Sequence, residues 1–337
     1  QYKGNSTTES IGDPVTAELV WQDAKNLIQD IYYVSKEKKI VAVTAPGTSG
    51  NAVVAACGAD GEILWSWPLW IADYDPAASL YTTPANASGT TWTFMDRNVG
   101  ATTNAPDSFD CHGMIYQWGR KDPFVGAKEL GKDAPIGGAS ETAAFGTQTA
   151  AYEKNTIDQT AYAFDVIGND DNTITDCVAY AVQHPTTFIK YVVSVGNSGV
   201  STWFNSDLSN FSDLWGAVSG RKSVYDPCPA GYKVPVDSAE AWGGFAKADV
   251  TSSAGSFGVT LNEAFYPCSG WRDVSGMLKQ VGTYAKAASA TAPTNQANIL
   301  QIMYYKATAA ATTYTTMFSN SGKSFIAGGI PVRCVKE

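Results

Sequence analysis

Histidine is nearly absent, with only His112 and His184 in 337 residues. A Ser/His/Asp or Cys/His mechanism would have to draw on one of these two. Cys111 and His112 are adjacent, and neighbouring side chains on a strand point to opposite faces, which is poor geometry for a nucleophile and its base. The chain has no G-x-S-x-G elbow. His184 is followed by Pro185, which favours a turn or packing role.

Charge is also scarce. Charged residues make up 16% of the chain, the net charge is −9, and the lysines and arginines are scattered. The basic surface that neutralises phosphates is missing, so nucleic acid and anionic membranes are excluded as expected partners. No apolar run approaches the roughly 18–20 residues of a membrane span. The polar start QYKGNSTTESIGDP has neither the layout of a signal peptide nor that of an anchor, and the chain reads as a mature or excised fragment with no membrane insertion of its own.

The cysteines 57, 111, 177, 228, 268 and 334 include no CxxC pair and are widely spaced, which argues against a compact zinc site. Six cysteines allow about 15 full pairings, so the residues alone leave the connectivity open. An even count, few charges and abundant Ser, Thr and Asn suit an oxidising compartment, which makes the expected location extracytoplasmic. NSGKSF (320–325) imitates the end of a phosphate loop, but Met317 stands where its first glycine belongs. GNDDNTITD (168–176) offers oxygen ligands of the kind calcium takes, with Asp170, Asp171 and Asn172 at its centre. It lacks EF-hand spacing, so a solvated Asx-rich turn is the preferred reading and no cofactor is expected.

What the chain has in quantity is aromatic side chains, with ten tryptophans, seventeen tyrosines and thirteen phenylalanines. Aromatic faces pack core, and exposed ones stack on the C–H patches of sugars. The tryptophans flanked by polar residues are Trp203 in STWFNSD, with Asp207 in the same stretch, and Trp215 in SDLWGA. They are the ligand-binding candidates, together with Asp170, Asp171 and Asn172. No local pattern points to the paired carboxylates of a glycosidase, and the expectation is a protein that is not an enzyme.

Residues 1–17 read as a polar linker or arm, with order beginning near Glu18. AELVWQD and DIYYVSKEKKIVAVTA have strand composition, and GNAVVAACGADGEILWSWPLWI reads as a hairpin turning at Asp60-Gly61. TTWTFMDRNV and MIYQWG follow as short apolar segments. VDSAEAWGGFAKA is the best helix candidate, capped by Ser238 or Asp237. From GVTLNEAFYP to GIPVRCVKE the chain alternates short strands with turns. The domain is taken as 18–337, displaying long loop insertions at 125–220 and 272–320.

Taken in order, GNAVVAA…DGEILWSWPLWIADYDP, FMDRNVGAT, MIYQWGRKDPF, HPTTFI, LWG, KSVYDPCPAGYKVP, SGWRD and IPVRCVKE resemble the Fibrobacter succinogenes major paralogous domain. That domain is found in surface proteins of Bacteroidales, including fimbrillin-like pilus-tip subunits. The resemblance runs from about Glu18 to Glu337. It implies an α+β, C-type lectin-like fold: a twisted antiparallel sheet with few helices and long loops, as in the formylglycine-generating enzyme group. That group's oxygen chemistry needs a cysteine pair near the C-terminus, and Cys334 is the only cysteine after Cys268, so the activity does not carry over. WSWPLW more often reads WSWH in related sequences, and Pro68 removes that imidazole.

The resemblance also implies that Cys228 of DPCPAGY pairs with Cys334 of VRCV. Such a bridge closes a loop of ~100 residues and contributes up to about 4–5 kcal/mol in the chain-entropy account. The function it implies is a non-catalytic adhesion domain of the cell surface or of an outer-membrane-associated pilus, binding a host or bacterial surface glycan or protein through its loops. The alternatives are a structural subunit whose partners are other pilus proteins and, less favoured, a carbohydrate-active enzyme.

Overall fold

Small side chains let the strand Gly50–Cys57 (GNAVVAAC) run through the interior with every residue buried. The structure is a computed structural model that describes residues 3, 4, 6, 8–127, 165–168, 174, 176–190, 202–204, 211–252, 258–305 and 315–337. In it this strand is the middle of a three-stranded antiparallel sheet, between Thr16–Gln22 and Ile63–Ile71. The Asp60-Gly61 turn joins the second and third members as expected, with Gly61 at φ 82°, a left-handed conformation that glycine adopts without strain. Ala52 and Val54 pack on a cluster with Leu19, Leu27 and Ile28, whereas Val53 belongs to the main core. A register shift between Leu19 and Trp21 turns the indole of Trp21 into that same main core, the re-aiming a β-bulge provides.

A hairpin of Ile28–Val34 and Lys39–Thr44 lies over the Ala52/Val54 face, contributing Ile28, Ile31 and Ala42 to the shared cluster. On the other side, Ile115–Gln117 pairs with Gly329–Pro331, which pairs with Trp271–Arg272 and through it reaches Leu278–Lys279. The C-terminal Val335–Lys336 inserts between Tyr232–Lys233 and Thr93–Met95, bringing early and late parts of the chain together. Tyr284–Ala288, Gln296–Tyr305 and Thr315–Phe325 make a further antiparallel sheet.

Residues 272–320 are therefore not a displayed loop. Much of the segment is sheet, because Ile299, Leu300, Ile302 and Tyr304 supply apolar side chains to two cores. Order also begins before Glu18: Ile11 is buried against Ala56 and Trp65, so part of the expected arm folds back on the sheet.

Two short α-helices occur among the described residues, Cys177–Gln183 and Ser238–Ala241. The second is the expected one. Its N-cap is Asp237, whose carboxylate accepts from the Ala239 and Glu240 amides, so the choice between Ser238 and Asp237 falls to the residue that can accept two amides. The protein is thus sheet-rich with few helices. The Cys228–Cys334 disulfide is present.

Lys286 lies in the strand Tyr284–Ala288 with its ammonium 3.6 Å from the Trp271 ring centroid. Burial pulls its pKa down to about 7, because the interior disfavours the charged form. A lysine in the unfolded chain titrates near pH ~10.4. Between roughly pH 7 and 10 the unfolded chain therefore holds a proton that the folded chain lacks, and stability rises with pH across that window. Lys286→Met is expected to flatten this slope in urea unfolding measured at several pH values.

Candidate functional site

The strand Ile63–Ile71 presents two faces. Trp67, Leu69 and Ile71 pack on the hairpin side. Ser66 and Trp70 are directed to the main body: the Ser66 hydroxyl donates to Asp122 at 2.6 Å and the Trp70 indole donates to the Ala101 carbonyl at 3.2 Å. After the strand, Tyr74 packs on Trp70 with centroids 5.2 Å apart and planes tilted by 38°. Arg97 backs Tyr74 from 3.8 Å and is itself held by Asp96 at 2.9 Å. Trp70 and Tyr74 thus form a half-buried aromatic wall fixed from behind.

The facing wall is the KSVYDPCPAG stretch. Lys222 donates to Asp226 Oδ1 at 2.8 Å and to the Cys228 carbonyl at 2.5 Å. Asp226 also accepts from the amides of Cys228 and Val234, both at 2.8 Å. Burial pushes the Asp226 carboxyl up and the Lys222 ammonium down, while each partner's charge works against its neighbour's shift. The bridge from Cys228 to Cys334 ties this irregular wall to the closing strands.

Between the walls lies a cleft of about 420 Å³, lined by Trp65, Trp67, Pro68, Trp70, Tyr74, Tyr116, Lys121 and the 222–230 segment among others. Its floor holds a second closed network. The Lys121 ammonium contacts both carboxylate oxygens of Asp122, at 2.7 and 2.8 Å, and the Ser66 hydroxyl. Burial lowers the Lys121 pKa, against the pull of Asp122. Ser66 is fully buried, and its hydroxyl proton is directed at a carboxylate that already faces an ammonium. This is a satisfied structural cluster rather than an activated nucleophile.

The residues singled out from sequence lie elsewhere. Trp203 and Trp215, expected to be exposed, are 2% and 1% exposed. Their indoles donate to the Trp118 and Arg120 carbonyls at 2.8 and 3.2 Å, so both serve the core rather than a ligand. Polar sequence neighbours misled here because they say nothing about the direction of the ring between them. Asp170, Asp171, Asn172 and Asp207 lie outside the described residues. Among the described residues no group of three or more His, Cys, Asp or Glu is placed to hold a metal. His184 ends the first helix and stacks on Tyr180 at 4.0 Å.

Reasoning from sequence missed the cleft. Its signal was the WSWPLW run, where tryptophans at 65, 67 and 70 straddle both faces of one strand.

No family model, curated protein or solved structure matches the chain.

Cys228→Ser and Cys334→Ser are each expected to lower stability by about 2–5 kcal/mol. Denaturant unfolding measures the loss, and mapping of non-reduced peptides should recover the Cys228–Cys334 pair from the unmodified protein.

Proposed function

We propose that the protein is a non-catalytic adhesion domain of the bacterial cell surface, built on a C-type lectin-like core, and that the glycan or protein it binds seats in the cleft between WSWPLW and DPCPAG. The observation that carries this reading is the Trp70–Tyr74 wall, braced by Arg97 and facing a cavity whose charged groups are closed on one another. Such a site offers stacking surface and shape but no reactive group poised for chemistry. A disulfide and the lack, among the described residues, of a helix long and apolar enough to cross a membrane fit an extracytoplasmic protein.

The test compares glycan-array and host-matrix binding by the wild type and Trp70→Ala. Truncating the central ring of the wall is expected to cut binding at least about tenfold, the effect of a hot-spot aromatic. Unchanged binding by a folded variant would move the site elsewhere.

A second reading, a pilus assembly subunit, is favoured by one observation. A groove of about 700 Å³ runs between the strands Lys39–Thr44 and Ile63–Ile71 over Val54. Each is an outer strand of its own sheet among the described residues, so the groove resembles a place for one more strand, supplied by a neighbouring pilus protein. On this reading Ala42→Glu, which puts a carboxylate in the groove, abolishes co-sedimentation with pilus subunits while leaving the circular dichroism spectrum unchanged.

A further inference from the structure

The charges that line the cleft are closed in pairs. Its ionisable lining groups of fixed sign are Lys121, Lys222 and Asp226. Lys222 is closed on Asp226 at 2.8 Å and Lys121 on Asp122 at 2.7 Å, with every one of these side chains 8% exposed or less. Neither ammonium is left to meet an incoming anion. A carboxylate or sulfate entering here would be desolvated without a counter-charge, which is strongly unfavourable.

Tyr116 stands at the same floor and belongs to neither network. It is 1% exposed and lines the cleft, and among the described residues its hydroxyl has no hydrogen-bond partner. Burial, together with the carboxylates of Asp122 and Asp226, raises its pKa and keeps the phenol protonated. The floor therefore carries one neutral donor facing the cleft, beside a tilted pair of aromatic rings.

An apolar face for the rings and an acceptor for one phenolic donor, with no net charge, describe a sugar ring. One or two such rings suit a cleft of about 420 Å³. An extended peptide is a poorer match, since its main chain brings several amides and carbonyls that need partners together, and the floor offers a single hydroxyl outside its closed network. Resting on the reading of the cleft as the ligand seat, we propose that its ligand is an electrically neutral saccharide, stacked on Trp70 and Tyr74 and accepting a hydrogen bond from the Tyr116 hydroxyl.

The test is Tyr116→Phe beside Trp70→Ala, each titrated with neutral, sialylated, uronic-acid and sulfated oligosaccharides and with matrix-protein peptides. Neutral oligosaccharides alone should bind the wild type. Tyr116→Phe should weaken that binding roughly three- to tenfold, the worth of one hydrogen bond, with a Tm equal to or above the wild type's, because the hydroxyl it removes has no partner in the protein. Trp70→Ala should weaken the same ligands.

Preferential binding of acidic sugars or of peptides, lost in Trp70→Ala, would overturn the neutral-saccharide assignment and leave the cleft as the seat. So would neutral-sugar binding indifferent to Tyr116→Phe. Binding that ignores both variants, or no binding by any probe, would overturn the cleft reading itself.

Discussion

The fold is organised by the need to satisfy one buried stretch of chain. Residues 111–127 are buried throughout, although Arg120, Lys121 and Asp122 follow one another inside it. A buried charge left unpaired costs several kcal/mol, so each dictates where a neighbour must lie. Arg120 takes the Thr187 and His184 carbonyls at 2.6 and 3.3 Å, which sets the end of the first helix and the start of the strand Thr187–Lys190. Gln117 bridges the Ile189 and Ala327 carbonyls at 3.0 and 2.8 Å. The backbone is used as well, for the carbonyls of Trp118 and Arg120 receive the indoles of Trp203 and Trp215. Segments distant in sequence are thereby placed by hydrogen bonds to one short run, with hydrophobic packing filling the space between them.

The cleft is a by-product of that arrangement. Lys121 and Asp122 draw Ser66 toward the floor, which fixes the phase of the strand Ile63–Ile71 and sends Trp70 to one side and Trp67 to the other. The opposite wall has no ladder of its own beyond Tyr232–Lys233 and depends on Asp226, which collects one ammonium and two amides. A preformed cavity results whose charged groups are closed on one another and whose walls are largely aromatic, with the Tyr116 hydroxyl left over.

Local chemistry was readable where local rules decide. The Asp60-Gly61 hairpin, the Asp237 cap and the run of late strands follow from turn residues, capping oxygens and strand composition. The resemblance supplied the disulfide. Burial of Trp203 and Trp215 was not readable, because it is set by carbonyls 85 and 95 residues away in the chain. Nor was the helix Cys177–Gln183 evident, since seven residues are too few for a helical period to stand out, although Cys177 and Ala181, four apart, enter the main core and Asp176 caps the first turn. The cleft escaped for a related reason. Its parts come from six separated stretches, and the alternation that splits WSWPLW between two faces shows its meaning only once Ser66 is anchored.

The disulfide also has a mechanical side. Val335–Lys336 holds the end of the chain by a few strand pairings, and pairings of that kind yield one after another when peeled from an end. Tension applied at Glu337 meets Cys334 almost at once, and from there the covalent link carries it to Cys228. Once those pairings are peeled, the load passes into the Pro227–Ala230 wall and not into the strands that precede Cys334. A pull on this end would therefore strain the rim of the cleft itself.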